Sequence, residues 1–180
     1  MLKYAGKILK TAPSTRFCTT AELGRVLSMT FPEADTAFAQ SLIDSATAML
    51  EAKTNHYFCP QTYDVFYTGR GYTARIPLFP VASVTSVTVD DVVLTSEDYT
   101  LDMVSGAYEV RLVNAASERV KITLIVGYQS PNLPPPCAKT AVLAIAADLH
   151  EHREAQSEVS LTENKSLKYA IEPLKFYNAW

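Results

Sequence analysis

The sequence lacks the features that would tie it by composition to redox chemistry, membranes or nucleic acid. Its 3 cysteines, Cys18, Cys59 and Cys137, lie far apart with no Cys-x-x-Cys pair, and joining any two leaves an odd thiol. That spacing suits free thiols behaving as small buried hydrophobes in a reducing cytoplasm. No apolar run approaches the roughly 20 residues of a membrane-spanning helix; the longest, Ala141 to Ala147, is far shorter. The basic start is not followed by an apolar stretch of signal-peptide length, so neither export nor insertion is expected. Charge of one sign is lacking too: 16 Lys and Arg against 19 Asp and Glu leave a net −3, which gives no field to draw nucleic acid or an anionic membrane. The one local bias is Lys3, Lys7, Lys10 and Arg16, which precede any acidic residue. This basic arm is read either as a contact to DNA or an acidic partner, or as a mobile solvated leader.

Catalytic patterns are missing as well. There is no G-x-S-x-G and no phosphate loop. Gly69-Arg70-Gly71 has two glycines between strand patterns, with no helix start to hold a phosphate. In His150-Glu151-His152 the histidines are two apart, and position 154, where a zinc helix would want the second histidine, is Glu. His56 beside Tyr57 has no nucleophile motif near it. The adjacent carboxylates Asp90-Asp91 and Glu97-Asp98 would point to opposite sides of a strand, and they read as turn residues. No catalytic, cofactor-binding or metal-binding residue can be nominated, and a non-enzymatic protein is expected.

What is present is a core: 48% of the 180 residues are hydrophobic, enough for one domain with a sizeable insertion. Residues 1–18 read as a flexible basic leader. Thr19 and Glu22 have capping-box spacing and open a short helix to about Met29, which Phe31-Pro32 ends. A second helix runs from Glu33 to about Asn55, with Ala39, Leu42, Ile43, Ala46, Met49 and Leu50 as one apolar stripe. From Pro60 to Tyr128 the period changes to two, in a stretch rich in Val, Thr and Tyr. Tyr99–Met103 and Tyr108–Leu112 around Ser105-Gly106 make a hairpin, and Val84–Val89 and Val120–Val126 add strands, for an antiparallel meander of about five strands. A proline elbow, Gln129 to Pro136, opens a long helix over 134–156 that is apolar nearly all round from Ala141 to Ala147. Such a circumference needs cover on several sides, part of it from a neighbouring subunit. Val142, Leu143, Ile145 and Leu149 are the candidate subunit contacts. Residues 157–180 read as a polar linker followed by a sticky tail. The fold class expected is α+β: a small helical bundle of two N-terminal helices and one long C-terminal helix, an inserted antiparallel β-meander over 61–128, and an extended or helical tail.

The order of these segments resembles the phage head-to-tail connector family, the adaptors that ring the portal, in its longer form with a β insertion. The residues that carry the resemblance are Thr20-Ala21-Glu22-Leu23, Leu42-Ile43-Asp44-Ser45-Ala46, Ile76-Pro77-Leu78-Phe79-Pro80-Val81-Ala82-Ser83-Val84, Val126-Gly127-Tyr128, Leu133-Pro134-Pro135-Pro136 and Asp148 to Glu154. The tail departs from the family's usual ending, with lysine displaced and aromatics added in Ile171 to Tyr177.

The resemblance implies a non-enzymatic virion protein of the neck, without cofactor, assembled in the host cytoplasm. As a dodecameric ring it would dock on the portal protein, extend a channel through which double-stranded DNA passes without specific binding, and present a platform to a stopper or tail-completion protein. Residues 19–156 would be the adaptor domain and 157–180 the portal-gripping tail, with Leu167, Tyr169, Ile171, Leu174, Phe176, Tyr177 and Trp180 as anchors; the alternative is a tail packed on its own subunit. A different reading is a small-ligand or carbohydrate-binding β module with Tyr63, Phe66, Tyr67 and Tyr72 as its platform.

Overall fold

A computed structural model describes residues 2–104, 106–116, 118–130, 132–151 and 169–174. The chain is α+β, and it divides into two compact units: one holds residues 2–15 and 59–132, the other 16–58, 133–151 and 169–174.

The first unit is all β. Its larger sheet has the order β1 (Lys3–Thr11), β2 (Gln61–Thr68), β8 (Arg119–Val126), β4 (Val81–Val89) and β5 (Val92–Val93), antiparallel throughout. A second sheet has the order β3 (Gly71–Ile76), β7 (Ala107–Ala116), β6 (Tyr99–Val104). The expected hairpin is present as β6–β7, pairing Tyr99 with Leu112 and Met103 with Tyr108. The expected five-strand meander is not: the described residues form eight strands in two sheets, and β8 lies between β2 and β4. That central position explains its composition. Val120, Ile122, Leu124 and Val126 are buried on one face, while Thr123 on the other is also buried and donates to the Asp64 Oδ1 at 2.6 Å.

The leader is the plainest correction. Lys3–Thr11 form an edge strand, not a flexible arm. Leu2 is buried, Tyr4 meets Tyr67 edge-on at 6.0 Å, and the Lys7 ammonium lies 5.5 Å from the Tyr63 ring centroid. The strand reads as a polar leader because Lys3, Ile8, Leu9 and Lys10 all remain exposed on this outer strand.

The larger sheet has register breaks in its edge strand β1 and in β4, which carries the short edge strand β5. They fall at Tyr4/Gly6 and Leu9/Thr11 in β1, and at Val81/Ser83 and Val84/Ser86 in β4. Asp90 and Asp91 take positive φ, 46° and 68°, and turn β4 into β5 as the sequence suggests. Asp90 Oδ1 also accepts from the Arg119 amide at 2.8 Å.

The second unit contains α1 (Thr20–Val26), α2 (Glu33–Thr54), α3 (Pro136–Glu151) and a 3-10 turn over Glu172–Leu174. The capping box is complete. The Glu22 amide donates to Thr19 Oγ1 at 3.2 Å, and the Thr19 amide to Glu22 Oε2 at 2.9 Å. Replacing Thr19 by Ala should cost about 1 kcal/mol, read as a lower urea midpoint at constant m-value. Gly24 is required where α1 ends, because a Cβ there would lie 2.6 Å from the Met29 carbonyl oxygen. The core is Leu23 from α1, Ala39, Ile43, Ala46 and Leu50 from α2, and Ala138, Ala141, Val142 and Ala146 from α3, closed by Ile171 and Leu174. Small residues on α3 let its neighbours approach closely. Met49, read from the sequence as part of the buried stripe, is 55% exposed on the outside of α2.

Candidate assembly surfaces

The residues that carry chemistry are committed to structure. Asp98 Oδ2 accepts from both the amide and the hydroxyl of Thr95, at 2.9 and 2.6 Å, which closes a turn and holds its carboxyl below the ordinary range. His150 sits edge-on to Phe31 at 5.8 Å; His152 lies outside the described residues. On one face of β3-β7-β6, Arg75, Glu109, Arg111 and Asp102 form a run of ion pairs at 3.6 to 3.9 Å, two charges of each sign. Among the described residues no cluster of His, Cys, Asp or Glu is placed to hold a metal ion. None of the three cysteines is in a disulfide.

The sugar-binding platform does not form. Tyr67 is buried, and its hydroxyl donates to the Arg75 carbonyl at 2.7 Å; burial pushes its pKa far up. Phe66 alternates to the opposite face of β2 from Tyr63 and Tyr67, and Tyr72 stands exposed in the other sheet.

The two sets of expected contact residues fare differently. On α3, Val142 is fully buried in its own subunit, while Leu143, Ile145 and Leu149 are half-buried against the same core. α3 packs against α2 and α1, and this chain's own C-terminal segment joins the same core. Ile171 and Leu174 are buried there, at 5% and 1% exposure. Tyr169, at 76% exposure, is the described tail residue left free for a partner. Leu167, Phe176, Tyr177 and Trp180 lie outside the described residues.

His56, which sequence reasoning set aside as a packed or surface histidine, is what ties this segment down. It follows Asn55, whose φ of 52° ends α2 in the left-handed conformation. Its Nδ1 lies 3.1 Å from the Leu174 carbonyl oxygen, so Nδ1 carries the proton and donates. The ring stacks on Phe58 at 5.4 Å, and Phe58 on Phe17 at 4.9 Å. The buried Glu51 carboxylate accepts from the Phe58 amide at 2.9 Å and fixes the stack to α2. Burial pushes the His56 pKa below its ordinary 6.5, and the bond to Leu174 opposes that only in part.

The sign of the resulting pH dependence follows. An unfolded chain takes up the proton near pH 6.5, whereas the folded chain resists it, so this stability is intact above that pH and is lost as pH falls toward the lowered folded value. The urea midpoint should drop between about pH 7.5 and about pH 5.5, and His56→Gln should flatten that drop. An unchanged slope in the variant would remove His56 as the cause.

The surface left over is apolar in several places. Val26, Met29 and Phe38 are 51%, 40% and 41% exposed, Val92 and Val93 at the β5 tip 64% and 66%, and Leu133 79%. Residues 33–38, the first two turns of α2, are exposed on every side. A groove of about 590 Å³ lies between α1 and the start of α2, among Gly24, Arg25, Met29, Phe31 and Thr36.

Chains of gene transfer agent (GTA) particles have the same fold. One, from the neck of an empty GTA particle computed with C6 symmetry, superposes with a TM-score of 0.79 at 19% identity over 98% of both chains. A chain from the virion of a native GTA particle gives 0.76 at 20% identity, again over 98% of both. One from the neck of a native GTA particle computed with C12 symmetry gives 0.67 at 17% identity, over 100% of this chain and 97% of the other. No family model matches the chain, and no curated protein does either.

Proposed function

We propose that this chain is a head-to-tail connector of the adaptor type, a structural subunit of a virion neck that forms a twelve-membered ring on the portal vertex. The observation that carries the reading is the end-to-end likeness to a chain of a GTA particle neck, TM-score 0.79 over 98% of both chains. The C6 and C12 symmetry of the neck structures agrees with a ring, and the exposed apolar surface outside both cores gives a ring something to bury. The assembled ring extends the channel for double-stranded DNA and offers a platform to a stopper or tail-completion protein. With a net charge of −3 it has no reason to grip the passing duplex. Assembly takes place in the host cytoplasm. The portal contact falls to Tyr169 together with Leu167, Phe176, Tyr177 and Trp180, because Ile171 and Leu174 serve the core.

The test is electron microscopy of this protein mixed with the portal protein of its own particle. An added ring below the portal, twelve-fold on averaging, is the expected result. A portal that stays bare while this chain remains monomeric at micromolar concentration would overturn the assignment.

A further inference from the structure

We propose that the ring is closed by a peg and a groove: the Leu133-Pro134-Pro135 elbow of one copy docks in the α1–α2 groove of the next. This rests on the ring reading above and says how its subunits join.

Leu133 is the most exposed large apolar side chain among the described residues, at 79%. Three prolines follow it, and Pro135 is held to the start of α3 by the bond from the Ala138 amide to its carbonyl, 2.9 Å. Proline fixes φ, and the residue before proline is kept extended. The elbow is therefore a stiff apolar peg with little conformational entropy to lose on docking. Proline-rich segments of this kind are recognised as preformed extended ligands.

The groove has the complementary chemistry. Its volume, about 590 Å³, suits a few side chains, and Ala21, Met29 and Phe31 provide apolar wall. A run of prolines offers carbonyl acceptors and no amide donors. The groove supplies donors in the hydroxyl of Thr20 and the guanidinium of Arg25, while the Thr36 hydroxyl is spent on the Pro32 carbonyl at 3.2 Å. Among the described residues Arg25 pairs with no acidic side chain.

The groove and the first turn of α3, which the elbow opens, lie on different sides of one helix. Thr20, Ala21, Gly24 and Arg25, at spacings of one, four and five, share the groove face of α1. Glu22 points away from that face, and its Oε1 accepts from Lys139 Nζ at 2.8 Å, in the first turn of α3 just beyond the elbow. A peg on one side and its receptor on the other, within a single compact unit, make a head-to-tail contact. Repeated with a fixed rotation, such a contact closes a ring, whereas a two-fold dimer would need both pegs to enter both grooves at once.

Two variants in a Cys137→Ser background test this: Leu133→Cys and Ala21→Cys, both exposed positions. The two single variants mixed and oxidised in the presence of portal protein should give a cross-linked dimer that neither gives alone. The double variant should give a ladder of multimers. Leu133→Asp, with an unchanged far-UV spectrum, should lower the yield of rings at least tenfold by microscopy. Rings that form normally in Leu133→Asp, with no cross-link in the mixture, would overturn the peg while leaving the ring reading intact. Failure of the wild-type chain to form any ring, alone or with portal, would remove the ring reading itself and the peg with it.

Discussion

Gly127→Ala should cost the β unit roughly 3 kcal/mol or more and lower Tm by roughly 10 °C. Gly127 ends the central strand β8 at φ +102°, a conformation that L side chains rarely adopt. A Cβ there would overlap the Cys59 carbonyl and lie 2.9 Å from the Pro60 nitrogen, so it meets backbone, not a side chain that can turn aside. The strand end is also pinned from the other side, because the Gly127 amide donates to the Pro80 carbonyl at 3.0 Å. Val126, the preceding residue, pairs with Gln61 of β2 and with Val81 of β4. Any shift that makes room therefore moves the ends of three strands together. Gly106→Ala is the control: φ is +80° but nothing lies within 4 Å of its added Cβ, so only the conformational strain of about 1 kcal/mol applies. Thermal unfolding followed by circular dichroism measures both. A Gly127→Ala variant melting within about 2 °C of wild type would show that the close approach is not needed.

Ending the chain at Ser166 should unfold the helical unit, not merely remove a partner-binding tail. From the sequence alone such a truncation looks harmless, because the polar stretch before the aromatics resembles a linker. Leu174 and Ile171 are nevertheless buried with Leu23, Leu50, Phe58 and Val142. Each large-to-small loss of this kind costs about 2–5 kcal/mol, and the His56 Nδ1–H left without the Leu174 carbonyl adds about 1–3. The sum, about 5 kcal/mol or more, is comparable to the whole stability of a domain this size. Ending the chain at Leu174 instead should preserve the fold while removing Phe176, Tyr177 and Trp180. It is that shorter cut which tests the proposed portal contact of Phe176, Tyr177 and Trp180 apart from the fold. Identical urea midpoints for the full chain and the chain ending at Ser166 would show that the segment contributes nothing to the core.

The helices were legible in the sequence because their signals are local. Thr19 and Glu22 are three residues apart, Pro32 fixes the start of α2, and the Pro136 end of the elbow starts α3, so each boundary is set by residues a turn away from it. The β6–β7 hairpin was legible for the same reason. What escaped was non-local. Nothing in Lys3–Thr11 announces that it will pair with a strand some sixty residues on, and its exposed lysines dilute the alternation that would mark it. β8 could be recognised as a strand, but not placed between β2 and β4, since strand order depends on pairings at long range. The tail misled in a different way. Leu167 to Trp180 has apolar residues without a clear period, so composition showed that it was sticky but not which side chains stay at home. The candidate surface was half legible: the elbow stood out by its prolines, whereas the groove depends on the way Gly24 and Ser28, the latter at φ 55°, fold the end of α1 back on itself.

The register breaks in β1, at one edge of the five-stranded sheet, and in β4, beside the short edge strand β5, bear on how the chain avoids aggregation. An unbroken rim of amides and carbonyls would accept a further strand from any neighbour, and a chain made in many copies would polymerise into fibrils. β1 interrupts its rim at Tyr4/Gly6 and Leu9/Thr11 and sets lysines beside the gaps, while β4 is broken twice and carries only the two-residue β5 beyond it. Neither rim offers a continuous template. Concentrated chains are thus kept out of the uncontrolled edge-to-edge route to association.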